Sequence, residues 1–200
     1  FKKQLKEKDL RGVYLPGFTF DSNTVSYYEG RLGEHKTRTV RTSNGNTRTE
    51  TYIEWHYVSG TFNKFFDDIM ISSGITPQKE LDSLKPFRTD TIRVYGNEYL
   101  SGYAAGHYVR NIGECWGDAK KIIDKTLRND ILRSYGYDVI DYLNISTRHN
   151  DVTYKYVLLP VYRLNFRFKK KDYNVSVNGN TGKITGKTPV SPVRVIIAVI

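Results

Sequence analysis

The amino-acid sequence predicts an α+β fold, in which antiparallel β-sheets from N- and C-terminal meanders pack against a long amphipathic helix and shorter helices from the middle of the chain. Three observations support this prediction: alternating apolar and polar residues near both ends, an Asn-Gly turn between two β-prone segments, and a middle segment whose apolar residues recur every three or four positions. Two hundred residues are enough for one hydrophobic core. We therefore predict a single globular domain over residues 1–188.

The first third of the chain is predicted to be β structure. Val13–Phe20 and Val25–Gly30 have the composition of strands, with a turn at Asp21–Asn23 between them. A hairpin rich in Thr and Arg follows at residues 35–58, with its turn at Ser43–Asn46. Because the distal part of this hairpin is almost entirely polar, we expect it to project from the body of the domain.

The middle third is predicted to be mainly helical. A short helix begins at Thr76–Glu80, Asn97–Val109 is partly helical, and the longest helix covers about Gly113–Tyr135. Phe62–Ile71 fits either a strand or a helix. The predicted buried stripe of the longest helix consists of Ile112, Trp116, Ala119, Ile123, Leu127 and Ile131.

The last third predicts a three-stranded meander with one apolar and one cationic face. Its strands are expected at Tyr162–Lys169, Asp172–Asn178 and Lys183–Gly186. The predicted apolar face consists of Tyr162, Leu164, Phe166 and Phe168 together with Tyr173, Val175 and Val177. Turns at Lys170–Lys171 and Asn178–Gly182 connect the strands.

The sequence favours a basic protein in a reducing compartment. Lys and Arg number 31 against 21 Asp and Glu, which gives a formal net charge of +10. Basic domains favour phosphate-bearing partners such as nucleic acid or anionic lipid, although a merely solvated surface fits equally well. Cys115 is the one cysteine, so the chain forms no internal disulfide and no Cys-based metal site.

The search for catalytic motifs finds none. The histidines His35, His56, His107 and His149 are scattered without the spacing of metal ligands. His56 with Glu54 and the pair Asp67–Asp68 offer the least supported candidate for acid–base chemistry. We therefore predict that the chain is not an enzyme and holds no metal or cofactor of its own.

Cationic side chains are the better candidates for a binding site, because they can bind phosphate groups. The hairpin carries Lys36, Arg38, Arg41 and Arg48, and the meander carries Arg163, Arg167, Lys169, Lys170 and Lys171. An ordinary solvated arm that protects a sheet edge is the alternative interpretation of the hairpin.

The apolar C-terminal segment, residues 189–200, leaves two interpretations open. Val193–Ile200 is too short to cross a bilayer, which takes about 20 apolar residues. It is either a last buried strand or the start of a membrane span that continues past Ile200. Basic residues before and at the start of this run, including Lys187 and Arg194, would keep the body on the cytoplasmic side.

A family resemblance covers nearly the whole chain. The motifs that carry it, in order, are Tyr14-Leu15-Pro16, Phe65-Phe66-Asp67-Asp68, Lys85-Pro86-Phe87, Glu98-Tyr99-Leu100-Ser101-Gly102-Tyr103, Leu158-Leu159-Pro160-Val161-Tyr162 and Val177-Asn178-Gly179-Asn180-Thr181-Gly182-Lys183. Together they resemble a widespread group of uncharacterised bacterial zinc-ribbon proteins, some labelled primosomal or helicase-like. The resemblance implies a four-cysteine zinc ribbon before Phe1 and, in many members, transmembrane helices after the last strand.

These observations predict a non-enzymatic binding or scaffolding domain on the cytoplasmic side of a bacterial membrane, anchored by a segment past Ile200. Its partner would be a protein, a protein complex or an anionic membrane surface. The alternative is a soluble nucleic-acid-binding accessory protein that uses the same basic residues. Zinc would belong only to a ribbon outside these residues.

Overall fold

The computed structural model describes residues 10–168 and 170–187. Its elements, in chain order, are β1 (Leu10–Arg41), β2 (Thr47–Ser72), α1 (Gln78–Leu84), a 3-10 helix (Asn97–Leu100), β3 (Ala104–Ala105), α2 (Ile112–Tyr135), β4 (Val139–Phe168), β5 (Lys171–Asn178) and β6 (Ile184–Gly186). The strands follow the order β2-β1-β4-β5-β6, and β3 pairs with β1.

The predicted α+β class is wrong, because the protein is mostly antiparallel β-sheet. Strands hold 57 % of the structure against 20 % in helices. The segment Asn97–Val109, predicted to be partly helical, contains only the 3-10 helix Asn97–Leu100 and the two residues of β3. Phe62–Ile71 lies wholly inside β2. The middle of the chain therefore supplies fewer helices than its composition indicates.

The predicted turn at Asp21–Asn23 lies inside β1, which is why two short predicted strands are one long strand. Side chains of this segment bind neighbouring strands instead of their own backbone. Asp21 Oδ1 accepts a hydrogen bond from the Asp68 N–H over 2.9 Å, and Asn23 Nδ2 donates to Asp151 Oδ2 over 3.1 Å. Turn-forming residues thus serve here as links across a sheet.

The chain divides into two compact units. Unit 1 contains the described residues of Phe1–Thr19, Met70–Trp116 and Lys155–Ile200, and unit 2 contains Phe20–Ile69 and Gly117–Tyr154. The predicted single domain over residues 1–188 stays a prediction.

Unit 1 has an apolar core between α1 and the strands around it. The core consists of Leu15, Met70, Leu81, Leu84, Phe87, Val157, Leu159 and Val161. Strands β4 and β5 pair in antiparallel register, with Tyr162 opposite Val177 and Leu164 opposite Val175. Residues directly opposite one another share a face, so these four residues lie together on the face predicted to be apolar. The other face, predicted to be cationic, is covered by α1, because Ser176 and Asn178 are buried there and Arg163 is half-buried.

Unit 2 buries one stripe of α2 on three strands. The fully buried stripe within this unit consists of Ala119, Ile123, Leu127 and Ile131. The opposing positions of β1 carry the small buried residues Ser22, Thr24 and Ser26. The hydroxyl groups of Tyr28 on β1 and Tyr135 on α2 lie 2.8 Å apart, which fixes the end of the helix on the strand.

The described helices include none that is long and apolar enough to span a membrane. The segment that prompted the prediction of an anchor, Val193–Ile200, lies outside the described residues.

Asn178 is the buried polar side chain that closes unit 1. Its Nδ2 donates to the carbonyls of Leu84 over 2.9 Å and Pro86 over 2.8 Å. Its Oδ1 accepts from the N–H groups of Asn180 over 2.8 Å and Thr181 over 3.0 Å. One amide therefore joins the end of α1 to the turn after β5.

We expect Asn178→Ala to lower the free energy of unfolding by about 3 kcal/mol, because it leaves four backbone groups without their partner. Urea denaturation followed by tryptophan fluorescence measures this loss. Asn180→Ala is the matched control at an exposed position of the same turn, and it is expected to cost less than about 0.5 kcal/mol. Equal losses in the two variants would contradict the role assigned to Asn178.

Candidate functional site

Two of the predicted hairpin cations share one carboxylate. Arg38 Nη2 donates to Glu50 Oε2 over 3.2 Å, and the Arg48 guanidinium binds Oε1 of the same side chain. These hydrogen bonds, from Arg48 first and Arg38 second, hold the pKa of the Glu50 carboxyl below its usual value. An incoming phosphate would therefore have to displace Glu50 from both arginines.

Lys36 lies in a small ion-pair network. Its Nζ is 2.9 Å from Glu34 Oε1 and 3.9 Å from Glu54 Oε2, and His56 Nε2 is 3.5 Å from the same Glu34 oxygen. One ligand atom from each of Glu34, Glu54 and His56 lies within 4.8 Å of the others, which is the spacing of a metal site. The Lys36 ammonium already supplies the positive charge that these carboxylates need.

The meander cations are also engaged. Arg163 Nη2 donates to Glu80 Oε1 over 3.2 Å and to Thr76 Oγ1 over 3.1 Å, so it ties the start of α1 to β4. Arg167 Nε lies 3.6 Å from Asp172 Oδ1 across the β4–β5 pair. Arg163 thus has a structural task in unit 1.

The remaining predicted cations are Arg41, Lys170 and Lys171, which are exposed. Within residues 10–168 and 170–187 they form no ion pair. Lys169 lies outside the described residues. The hairpin residues belong to unit 2 and the meander residues to unit 1, so each set is considered by itself.

Asp67 and Asp68, the weak candidates for acid–base chemistry, lie beside Asp21. Asp21 accepts the Asp68 N–H with one oxygen and the Thr153 hydroxyl, over 3.0 Å, with the other. Asp68 has a positive φ of 50°, a backbone conformation that such a hydrogen bond stabilises. The arrangement of Asp21 is therefore explained by its links between strands.

A groove that the sequence did not indicate lies between α2 and β4 in unit 2. It has a volume of about 650 Å³. Its walls are formed by Lys120, Asp124, Lys125 and Arg128 from α2 and by Leu143, Ile145, Thr147 and His149 from β4. The helix contributes all the permanently charged side chains, and the strand contributes a mostly neutral floor.

The strand side of this groove is an open sheet edge. Within the described part of the chain, β4 has β1 as one neighbour, and β5 joins its other side only from Val161 to Phe168. Contacts such as Ser26 Oγ to Thr147 Oγ1, 3.0 Å, place β1 beside the N-terminal half of β4. Among residues 10–168 and 170–187, therefore, no strand lies on the other side of residues 139–154.

Two carbonyl groups show which backbone N–H and C=O groups of β4 face away from β1. The Tyr142 carbonyl oxygen lies toward β1, 2.7 Å from the point where a Cβ at Gly30 would stand. The next carbonyl, that of Leu143, accepts a hydrogen bond from Arg128 Nη1 over 2.9 Å instead. Because direction alternates along a strand, the N–H and C=O groups of Ile145 and Thr147 also face away from β1.

The charges of the groove are only partly compensated. Lys125 and Arg128 form no ion pair among the residues that the structure describes. Burial is the main cause that lowers the pKa of His149, and the charge of Lys120 acts in the same direction while Asp124 opposes it. The groove thus holds two cations, Lys125 and Arg128, that lack a carboxylate partner among the described residues, together with a histidine whose neutral form is favoured.

A second exposed surface of unit 2 is aromatic. The Arg31 guanidinium stands 4.8 Å from the centre of the Trp55 ring and 5.7 Å from that of Tyr57, which is 79 % exposed. Asp141 lies 3.4 Å from Arg31 and compensates its charge. This surface is suited to protein contacts, but it offers neither an open strand edge nor an uncompensated charge.

Sequence reasoning missed the groove because its local signal is weak. Lys120, Lys125 and Arg128 have the pattern of a solvated helix face, and Ile145 and Thr147 that of a strand. Only the packing of α2 beside β4 brings these residues together. The one available signal is the row of cations on one side of a helix.

We expect Lys36→Met to raise the pKa of Glu34, because the hydrogen bond from Lys36 is the largest cause that lowers it. NMR titration of the Glu side-chain carboxyl carbons measures the change. A lowered carboxyl pKa stabilises the fold above the unfolded-state pKa, and this contribution is lost as the pH falls through the folded-state value. Arg41→Met, on the same strand, is the control and is expected to leave the pKa of Glu34 unchanged. An equal pKa shift in both variants would contradict the ion-pair network.

Comparisons with known proteins give one distant relative. The chain is 26 % identical over 188 residues to the uncharacterised protein YdjG of Bacillus subtilis strain 168. The alignment covers 92 % of this chain and 53 % of the relative, so the chain spans about half of that protein. No protein-family model matches the chain, and no solved structure matches it. Membership of the zinc-ribbon group stays a prediction.

Proposed function

We propose that the chain is a non-enzymatic protein-binding domain, which takes an extended segment of a partner onto the open edge of β4. The observation that carries this proposal is the run of backbone groups at Leu143, Ile145 and Thr147 that face away from β1 beside a groove. An extended peptide that adds a strand to a sheet edge gains affinity from main-chain hydrogen bonds and specificity from alternate side chains.

The regularity of this edge supports the proposal. Residues 139–150 contain neither Pro nor Gly, and the first irregularity is the positive φ of 51° at Asp151. Proteins usually block long edges with prolines, bulges or short strands. Between Val139 and Asp151 such devices are missing, and a single side chain, Arg128, covers one carbonyl.

Location and the alternative function remain predictions from the sequence. The cytoplasmic side of a bacterial membrane is expected from the apolar run Val193–Ile200. A nucleic-acid-binding role would depend on the exposed cations without carboxylate partners, among them Arg41, Lys170 and Lys171. That role predicts an affinity for nucleic acid that falls steeply with salt.

Selection of random peptides displayed on phage against the full chain tests the proposal. We expect selected peptides to slow amide hydrogen exchange at Leu143, Ile145 and Thr147, because these N–H groups would donate to the added strand. Protection confined to the hairpin at residues 35–58, or none, would contradict strand addition at β4.

A pair of variants sharpens this test. Ile145→Pro removes an N–H that faces away from β1, a position where an edge strand tolerates proline. It is expected to weaken peptide binding about tenfold or more through lost main-chain bonds. Ile145→Val keeps the N–H and is the matched control. Circular dichroism of both variants checks that each is folded, and equal affinities in the folded variants would count against the proposal.

A further inference from the structure

The groove beside the open edge of β4 is lined mainly by positive charge on its helix side. Lys120, Lys125 and Arg128 line its helix wall, and Asp124 is the one carboxylate there. Neither Lys125 nor Arg128 has a carboxylate partner within residues 10–168 and 170–187. A ligand with negative charge would supply the missing partners, and one with positive charge would be repelled.

The spacing of these cations fits the period of a strand. Between Lys120 and Arg128 the helix rises about 12 Å along its axis. Residues i, i+2 and i+4 of a strand lie on one face and span about 13 Å. Three side chains on one face of an added strand therefore cover the same length as the row of cations on α2.

The floor of the groove adds no competing charge near the edge. Leu143 is buried, and Ile145 and Thr147 are half-buried and neutral. The other face of β4 exposes 42 % of Ile140 and 40 % of Tyr142. Side chains of an added strand that alternate with the groove-facing ones would lie along these apolar residues.

This inference rests on the strand-receiving function proposed above. We propose that the segment bound at the edge of β4 is an acidic segment of a partner protein, with carboxylates at alternate positions that bind Lys120, Lys125 and Arg128. Apolar side chains occupy the intervening positions beside Ile140 and Tyr142. Arg128 exchanges its hydrogen bond to the Leu143 carbonyl for a carboxylate, and an N–H of the added strand takes its place at that carbonyl.

Fluorescence anisotropy with labelled nine-residue peptides tests this proposal on the full chain. One peptide carries Glu at alternate positions between Val residues, and the second carries Gln in place of Glu. At low salt the Glu peptide is expected to bind about tenfold tighter than the Gln peptide. Inorganic phosphate at the peptide's concentration is expected not to compete, and equal competition would overturn the assignment to an acidic segment.

Two variants of α2 are expected to change the affinity in opposite directions, and a third serves as the control. Lys125→Glu is expected to weaken the Glu peptide about fivefold or more, and Asp124→Asn to tighten it about twofold. Lys121→Glu is the matched control, because Lys121 pairs with Asp118 over 2.8 Å and lies outside the groove. Equal weakening by Lys121→Glu and Lys125→Glu would reduce the effect to net charge and overturn the assigned site.

Peptides methylated at alternate backbone nitrogens distinguish a failure of the acidic preference from a failure of strand addition. If the Glu and Gln peptides bind equally and both lose binding on methylation at edge-facing positions, the acidic preference is wrong and strand addition stands. If methylation at those positions changes nothing, or neither peptide binds, the strand-receiving function fails as well.

Discussion

The packing of α2 on three strands is the interaction on which unit 2 depends. The helix buries one narrow stripe, of which Ala119 is the smallest member. Small residues of β1, such as Thr24 and Ser26, are buried beneath it. Two of the three hydroxyl groups that this burial removes from water are satisfied within the sheet, whereas Ser22 Oγ has no hydrogen-bond partner among the residues that the structure describes. The Thr24 hydroxyl donates to the Lys64 carbonyl over 2.7 Å, and the Ser26 hydroxyl lies 3.0 Å from that of Thr147. A helix can lie close to a sheet where such residues stand beneath it. The long side chains beside the stripe then extend along β4, and this is what forms the groove.

Arg128 has two roles at the open edge of β4. Its guanidinium satisfies the Leu143 carbonyl and so covers part of an edge that other chains could use. The same side chain has no carboxylate partner in the described residues, so the position that protects the edge is also the one a carboxylate would fill. Binding of an acidic strand, as proposed, would exchange one hydrogen bond for another at that carbonyl and add a charge-assisted bond to Arg128. At this one carbonyl the two backbone bonds would nearly cancel, so the gain there would come from the bond between Arg128 and the carboxylate, while the other edge groups would add main-chain bonds.

The sequence predicted those features that depend on neighbours along the chain. The spacing of Ala119, Ile123 and Leu127 located a buried stripe, and the alternation around Leu164 and Val175 located the pairing of β4 with β5. It failed at Asp21–Asn23, where turn-forming residues bind Asp68 and Asp151 on other strands. Such partners are up to 128 positions away and leave no local pattern. The groove was out of reach for the same reason, because Arg128 and Leu143 become a pair only when the helix lies on the sheet.

Net charge alone does not locate a binding site on this protein. Arg38 and Arg48 stand out in the sequence, yet both bind Glu50, and Arg163 is occupied by Glu80. Exposed pairs of this kind contribute little to stability, but they lower the local potential that a phosphate would meet. Lys125 and Arg128 are less conspicuous in the sequence, and neither has a carboxylate partner among the residues that the structure describes. A ligand gains most where a cation lacks a partner, and among the described residues of unit 2 Lys125 and Arg128 in the groove between α2 and β4 meet this condition.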